Sequence, residues 1–301
     1  MSAAAMSTAA APQAPAAQAQ APALALRDAS IAPAGAAQPL LRGLQLQIAP
    51  GEQVALIGAS GSGKSTLMLA LAGAWPLQAG ALHWQGQDPW RLPRSQRQRL
   101  RRELFYVPQV PPLPPRQRVV TAVLAGRLPH MGLAASLRTL WHPRRADAQW
   151  AQQALLALDL PDKLWQRVDR LSGGERQRVG LARLLASQAR CWLVDEPLSA
   201  LDPSRAQQVM QVLRQTARQR GNTLLCSLHQ VEAARRFARV LALKDGVIAY
   251  DGPGSGLSDA LLLQLYGRTA LDDAPADVQV DVQAQAAPSP ASVWAGPAHC
   301  G

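Results

Sequence analysis

"QVALIGASGSGKST", residues 53–66, joins a short apolar run to a glycine-rich loop that ends in lysine, serine and threonine. The loop fits the pattern G-x-x-x-x-G-K-[ST], and the apolar residues 67–72 that follow it predict a helix. Glycines at these positions let backbone N–H groups surround phosphate oxygens, the lysine adds a positive charge, and the Ser65 hydroxyl can bind Mg²⁺. The predicted phosphate-binding residues are Gly58, Ala59, Ser60, Gly61, Ser62, Gly63, Lys64, Ser65 and Thr66.

Short apolar runs elsewhere in the chain predict the sheet to which this loop belongs. Continuous apolar strands of this kind are typical of a parallel sheet covered on both faces. The helical stripe of residues 203–220, which begins at Pro203 and ends before Gly221, predicts a covering helix. No such strands occur between Gln109 and Leu171, so that stretch is predicted to be an inserted helical subdomain. The predicted core strands are 53–57, 191–194, 223–228 and 240–243.

Composition limits the class of protein. The chain has 301 residues, is 48% hydrophobic and carries a net charge of +11. No basic block alternates with aromatic residues, so nucleic acid is not an expected partner, and an anionic membrane surface is a better use of the charge. No apolar run approaches the roughly 18 residues of a membrane span, so any spans must come from a partner.

The three cysteines and the two ends of the chain complete this picture. Cys191, Cys226 and Cys300 are an odd number without metal-ligand spacing, which fits a reducing, cytosolic compartment. Cys191 and Cys226 lie in apolar runs, which predicts buried core thiols. Residues 1–22, rich in Ala, Pro and Gln, and residues 271–301, acidic and rich in Ala and Pro, are predicted to be disordered tails.

Polar residues follow three of the predicted strands. Asp195 and Glu196 end the apolar run CWLV, where Asp195 can hold Mg²⁺ and Glu196 is placed to polarise an attacking water. His229 follows strand 223–228, and in a chain with a phosphate loop it is predicted to lie near the terminal phosphate. Gln109 follows the strand LFYV (104–107) and can contact metal or water.

A second glycine-rich turn, LSGGE (171–175), precedes a polar, helix-like run although the chain already has a complete phosphate loop. Such a turn also allows the backbone to approach a phosphate. SALD (199–202) follows the carboxylates, and its Asp202 is in addition a good N-cap for the helix that starts at Pro203.

The order of GASGSGKST, Gln109, LSGGERQ, LVDE, SALD and His229 resembles the ATP-binding subunit of ABC transporters over about residues 24–268. The resemblance implies a cassette at 23–270: an α/β, RecA-like phosphate-loop core with a parallel sheet, an N-terminal antiparallel β part and an inserted α-helical subdomain at about 110–187. It implies ATP and Mg²⁺ as ligands, with Ser65, Gln109 and Asp195 at the metal. Glu196, His229 and Gln109 are the implied catalytic residues.

The same resemblance implies partners. Two copies pair head to tail, so that Leu171, Ser172, Gly173, Gly174 and Glu175 contact the ATP held by the other copy. Ser199 and Asp202 are the implied residues of the connecting D-loop. The implied partners are a second copy, a multi-span membrane permease and, indirectly, a periplasmic substrate-binding protein, with no nucleic acid. The implied location is the cytoplasmic face of the inner (plasma) membrane.

Several stretches narrow the resemblance to one group of importers. VLAGRL (123–128) and SLRTLWHPRR (136–145) are similar to the phosphonate-importer ATPases. YVPQ (106–109) and GRLPHMG (126–132) are also similar to iron-chelate and cobalamin importer ATPases, which remain the alternative. A soluble, non-transport ABC protein is a weaker alternative because the chain has one cassette and no sustained heptads, and a lone phosphate-loop kinase leaves LSGG and SALD unexplained.

The chain departs from the family at the nucleotide base. The family usually places an aromatic residue in its first strands to stack on adenine, whereas residues 1–74 contain no Phe, Tyr or Trp. Residues 31–33, from Ile31 to Pro33, occupy that position in the sequence, which predicts weak discrimination among purine nucleotides.

Overall fold

The computed structural model of the chain describes residues 21–32, 36 and 38–266. The predicted tails 1–22 and 271–301 therefore lie outside the described residues, apart from residues 21 and 22. Cys300 and Pro33 lie outside them as well.

Nine strands in the described part of the chain form two sheets. The smaller sheet has the order β2-β1-β4 and is antiparallel, and the larger has the order β5-β6-β7-β3-β8-β9, parallel except for its edge strand β9. The predicted parallel core and antiparallel β part are thus confirmed. The strands are β1 Leu24–Ile31, β2 Leu41–Ile48, β3 Gln53–Gly58, β4 Ala79–Trp84, β5 Leu104–Val107, β6 Cys191–Asp195, β7 Thr223–Ser227, β8 Arg239–Lys244 and β9 Val247–Gly252.

Helices cover both faces of the larger sheet. Short 3₁₀ segments at Ala125–His130, Val168–Arg170 and Gly254–Gly256 connect some of them. The α-helices of the described residues are α1 Lys64–Leu71, α2 Arg94–Arg102, α3 Val119–Leu124, α4 Leu133–Trp141, α5 Arg145–Leu156, α6 Gly173–Ala186, α7 Pro203–Arg220, α8 Val231–Arg235 and α9 Asp259–Tyr266.

The central strand β3 shows why the residues that follow Gln53 are apolar. Val54 and Leu56 pack into a core shared with α1 and the antiparallel sheet. Ala55 and Ile57 point the other way, into a core shared with α3, α5, α6 and α7. Because successive side chains of a strand alternate between faces, a strand buried on both sides has no polar position, and the predicted strand 53–57 is confirmed with Gly58 added.

Local signals placed α7 and the buried thiols correctly. The Asp202 carboxylate accepts a hydrogen bond from the Arg205 N–H at 3.0 Å, Pro203 opens the helix, and Gly221 ends it in the left-handed conformation. Cys191 and Cys226 are free and buried, and burial raises the pKa of Cys191 to about 12. A thiol with so high a pKa stays protonated and behaves as an apolar core group.

The stretch between β5 and β6 is helical, as its lack of strand patterns indicated. Val120 of α3, Leu155 of α5 and Leu181 of α6 are buried in one apolar cluster. The proline-rich segment after Gln109 packs against α6, where a Cβ on Gly180 would lie 2.5 Å from a ring carbon of Pro111. Side chains at position 180 other than hydrogen are therefore excluded unless this segment moves.

The expected location of the missing aromatic was wrong for Ile31. This residue ends β1, pairs with Leu41 and is completely buried in the core beneath the antiparallel sheet. Its side chain therefore cannot contact a nucleotide base. A larger ring at this position would overpack the core, which typically costs about 1–3 kcal/mol.

Candidate active site

The glycine-rich loop turns from the end of β3 into α1 at the carboxyl edge of the parallel sheet. Gly63 precedes the helix with φ of 100°, in the left-handed region, and a Cβ there would approach Leu41 to 2.6 Å. Glycine is thus required both for the backbone conformation and for the close packing. The helix α1 starts at Lys64, earlier than the predicted 67, so its first backbone N–H groups point into the loop.

Lys64 supplies a buried positive charge to this loop. Its Nζ donates hydrogen bonds to the carbonyl oxygens of Gly58 at 2.9 Å and Ala59 at 3.2 Å. Burial lowers the pKa of Lys64, and the negative charges of Glu196 and Asp195 act in the opposite direction. An ammonium group that is 5% exposed and bonded only to neutral carbonyls is poorly compensated, which favours an anion as its partner.

An orphaned hydroxyl in the same loop supports this assignment. The Ser62 Oγ is buried and has no hydrogen-bond partner among the described residues. A buried polar group without a partner is costly in a folded protein. A phosphate oxygen in the loop would satisfy it, so the donor set fits a polyphosphate ligand.

Asp195, the predicted metal ligand, ends β6 and is held by two hydroxyl groups. Ser227 Oγ donates to Asp195 Oδ1 at 2.5 Å, and Tyr106 Oη donates to Asp195 Oδ2 at 3.3 Å. Burial and the negative charge of Asp195 raise the pKa of Tyr106, so the phenol remains a donor. The carboxylate is thus oriented by two neutral hydroxyl groups.

Glu196 and His229, two of the predicted catalytic residues, lie in direct contact. The Glu196 Oε1 lies 2.5 Å from Nε2 of His229. Glu196 adopts the left-handed conformation with φ of 47°, and its N–H donates to Ser227 Oγ at 2.9 Å. A non-glycine residue in this region is strained, and strain of this kind is concentrated at functional sites.

Gln177 of α6 connects the second glycine turn to these carboxylates. Its side-chain NH₂ donates to the backbone carbonyl of Glu196 at 2.8 Å, and its side-chain oxygen accepts the N–H of Ala200 at 3.1 Å. Ser199, one of the predicted D-loop residues, lies 3.3 Å from the same amide. A buried glutamine therefore ties α6 to the segment that follows β6.

The turn LSGGE itself is a capped helix start. Ser172 Oγ accepts the N–H of Glu175, and the Glu175 carboxylate accepts the N–H of Ser172 at 2.8 Å. Lys163 Nζ lies 2.9 Å from Glu175 Oε1, and this contact is the main cause of the lowered pKa of Glu175. Ser172 and Gly173 are exposed, and these turn residues make no hydrogen bond to the phosphate loop among the contacts of the described residues.

Two further predicted residues, Gln109 and Asp202, follow the ends of β5 and β6 in the sequence. Gln109 is exposed and follows β5, whose last residue Val107 pairs with Val194 of β6. That register places Gln109 beside the end of β6, near Asp195 and Glu196. Asp202 caps α7, and hydrogen bonds from Ser204 and from the N–H of Arg205 lower its pKa.

Tyr266 is a part of the site that no local pattern indicated. Its Oη accepts the N–H of Gly58 at 3.1 Å, although the two residues are separated by 208 positions. With Leu40 and Arg42 it also lines a cavity of about 580 Å³ beside residues 59–62. Burial raises the pKa of Tyr266, which keeps the ring un-ionised against the loop.

Four residues of the site were not predicted from the sequence: Tyr106, Gln177, Ser227 and Tyr266. The first three lie inside or next to motifs that the sequence analysis identified. For Ser227 the available signal was a polar residue at the end of a mostly apolar strand. Tyr266 has no such signal, because only the fold brings the end of α9 to the loop.

A cluster of three or more His, Cys, Asp or Glu residues, which could hold a metal unaided, is absent from the described residues. Ser65, Gln109 and Asp195 are oxygen donors of the kind that Mg²⁺ prefers, and this ion normally takes only one or two carboxylates and completes its shell with phosphate and water. The residues present therefore fit Mg²⁺ bound together with a polyphosphate.

Comparison with known proteins agrees with this geometry. A family model described as ABC transporter matches residues 41–199. A protein of Polaromonas sp. (strain JS666), named phosphonates import ATP-binding protein, is 55% identical over 250 residues, which cover 82% of this chain and 90% of that protein. This chain belongs to the ABC transporter ATPases.

A second sequence relative and a solved structure support the same family and fold. A second phosphonates import ATP-binding protein, from Albidiferax ferrireducens, is 54% identical over 77% of this chain and 83% of its own length. A solved dimeric post-hydrolysis state of the ATP-binding cassette MJ0796, bound to ADP and Pi, is 25% identical, covers 78% of this chain and all of that chain, and superimposes with a TM-score of 0.67. The predicted family and fold class are thereby confirmed.

Proposed function

We propose that this ABC ATPase powers an importer for phosphonates. Relatives of 55% and 54% identity carry that function in their names. Those names favour phosphonate over the iron-chelate or cobalamin alternative that YVPQ and GRLPHMG left open. The observation that carries the ATPase reaction is the contact between Glu196 and His229 at the edge where Lys64 and Asp195 converge.

The arrangement of side chains divides the hydrolysis of ATP into separate tasks. Lys64 and the loop N–H groups neutralise the terminal phosphates, and Ser62 Oγ gains the partner that it lacks. Glu196 polarises the attacking water and accepts its proton, while His229 holds the carboxylate in place and contacts the terminal phosphate. Mg²⁺, held by Ser65, Asp195 and Gln109, supplies positive charge to the phosphates when bound.

A second copy completes the site. LSGGE presents exposed residues and the positive end of α6, yet among the described residues it makes no hydrogen bond to the phosphate loop of its own chain. In a head-to-tail pair, Ser172, Gly173 and Gly174 would contact the ATP held by the partner. The dimeric MJ0796 cassette supports such a pairing in this family.

The ATPase needs a membrane partner to move its substrate. In residues 21–32, 36 and 38–266, no helix is long and apolar enough to cross a bilayer. We place the dimer on the cytoplasmic face of the inner membrane, bound to a multi-span permease that receives phosphonate from a periplasmic binding protein. The cassette occupies about 23–270, with the helical subdomain at about 110–187.

Growth on a phosphonate as the sole source of phosphorus tests the proposal. A strain that lacks this gene but keeps its permease and binding protein should grow when wild-type protein is supplied. Lys64→Ala should abolish that growth, whereas Arg91→Ala, at a surface ion pair with Asp88, should not. If wild-type protein hydrolyses ATP in vitro but its absence leaves phosphonate growth unchanged, the substrate assignment is wrong and the ATPase assignment stands.

A further inference from the structure

Helix α4 exposes its apolar side chains and buries a polar one. Leu133, Leu137 and Trp141 recur at intervals of four, and their exposed fractions are 79%, 49% and 82%. Thr139 is 1% exposed and is the buried residue of this helix. We call Leu133, Leu137 and Trp141 the outward stripe.

The outward stripe lies opposite the attached face of the helix. Residues of an α-helix are separated by about 100°, so Thr139 lies about 200° from Leu137, the centre of the stripe. A helix on a soluble surface normally has the reverse orientation, with its apolar side toward the core. Contiguous exposed apolar groups of this kind mark contact with a protein or a membrane.

Cations border the stripe on its C-terminal side. Arg138, Arg144 and Arg145 are exposed, and residues 130–146 contain no Asp or Glu. The next carboxylate, Asp147, is already engaged, because it accepts the backbone N–H of Arg144 at 3.2 Å and lies 3.9 Å from an Arg127 nitrogen. Whatever covers this face should therefore combine apolar and anionic groups.

An anionic bilayer surface has both properties. Trp side chains favour the boundary between headgroups and acyl chains, and Arg side chains can extend to the phosphates above it. An acidic protein would match the arginines but would have to offer a matching apolar groove as well. We propose that the outward stripe and Arg138, Arg144 and Arg145 bind the interface of an anionic phospholipid bilayer.

The proposal extends the proposed function, because a cassette held by a permease is already beside the membrane. Contact through α4 would give the helical subdomain a second point of attachment. The lipid contact can be tested independently of the ATPase assignment, because binding to vesicles requires neither a permease nor ATP hydrolysis.

Co-sedimentation of the full-length protein with vesicles measures this contact. We expect binding to phosphatidylcholine vesicles that contain about 30% phosphatidylglycerol and weak binding to vesicles of phosphatidylcholine alone. Binding to the anionic vesicles should fall as the salt concentration rises. The triple variant Arg138→Gln, Arg144→Gln and Arg145→Gln should weaken binding on the order of a hundredfold at low salt.

The apolar part of the contact is tested separately. Leu133→Ser, Leu137→Ser and Trp141→Ser combined should weaken co-sedimentation with the same vesicles, most clearly at raised salt, where the contribution of the arginines is screened. A matched control replaces three exposed apolar side chains elsewhere, Trp165, Val247 and Leu263, by Ser. Both variants should keep wild-type ATPase activity, which shows that they fold and separates this proposal from the proposed function.

Three outcomes would overturn the lipid assignment. One is wild-type protein that binds phosphatidylglycerol vesicles no better than phosphatidylcholine. Another is a stripe variant that binds like the control. The third is a stripe variant with normal vesicle binding but a weakened complex with the permease in detergent, which would assign this face to a protein.

Discussion

The two glycine-rich turns of the chain begin helices in the same way and yet lie in opposite environments. The phosphate loop leads into α1 without any side-chain cap, and a buried lysine and an unpaired hydroxyl line it. The turn LSGGE leads into α6 with a complete capping box, so its own Ser172 and Glu175 satisfy two of its backbone N–H groups.

The difference teaches how a composite site can be divided between two chains. The phosphate loop is electrostatically incomplete until an anion binds, whereas the second turn is stable by itself and presents a fixed, exposed edge. A turn whose backbone N–H groups already have hydrogen-bond partners suits a surface that associates with a partner and dissociates from it repeatedly. The following predictions test this contrast, in order of decreasing effect.

Replacing Glu196, the proposed general base, should have the largest effect. Glu196→Gln should keep ATP binding and lower turnover by about 10²–10⁴-fold, because it removes proton transfer and keeps the shape. It should also prolong the life of an ATP-bound dimer, measured by gel filtration with ATP. Glu232→Gln, on an exposed side chain, is the matched control, and near-normal hydrolysis by Glu196→Gln would remove this residue from the mechanism.

Mixing two inactive variants separates the two turns. Lys64→Ala damages the phosphate loop, Ser172→Arg damages LSGGE, and each alone should lose most activity, about 10²–10³-fold. In a mixed dimer one site carries both lesions and the other is intact. An equal mixture should recover roughly a quarter of wild-type activity, because half of the dimers are mixed and each has one good site.

The control for that experiment is a demonstration that mixed dimers form. Tagged copies of the two variants must co-purify in the presence of ATP. If mixed dimers form and no activity returns, the two turns serve the same chain or both sites must act together.

Loss of the Tyr266 hydroxyl should have a moderate effect. Tyr266→Phe keeps the ring but removes the acceptor for the Gly58 N–H, and one hydrogen bond is worth about 0.5–1.5 kcal/mol. We expect the KM for ATP to rise about two- to tenfold with little change in kcat. Tyr250→Phe removes a hydroxyl that donates to the Pro253 carbonyl at 2.7 Å and serves as the control; equal changes in both variants would argue against a role at the loop.

The choice of purine base should have the smallest effect. Tyr266 is the aromatic residue among those lining the cavity beside the loop, and its hydroxyl is already bonded to Gly58. Stacking would not distinguish adenine from guanine, and the triphosphate contacts are common to both. Affinities for ATP and GTP, measured by titration of the isolated protein, should agree within roughly tenfold; a preference beyond a hundredfold would reveal an unrecognised group that reads the base.

The sequence predicted what is encoded locally and missed what the fold assembles. The phosphate loop, the strand ends at Asp195 and His229 and the bounds of α7 follow from adjacent residues. Ile31 was misplaced because its apolar character fits a buried strand end as well as a base contact. Tyr266 was missed because its partner is 208 positions away, and the orientation of α4 cannot be read from its periodicity, which gives a stripe but not the side that faces the core.

Gln177 gives the chain a mechanical link between its two roles. The helix that begins with LSGGE, the proposed contact to the partner copy, is hydrogen-bonded through this side chain to the backbone carbonyl of Glu196, the proposed general base. Any displacement of α6 on docking therefore shifts Glu196, and by reciprocity the state of Glu196 alters how well LSGGE docks. Occupancy of one nucleotide site should thus change the affinity of the other, so that the ATP saturation curve of the dimer departs from that of two independent sites.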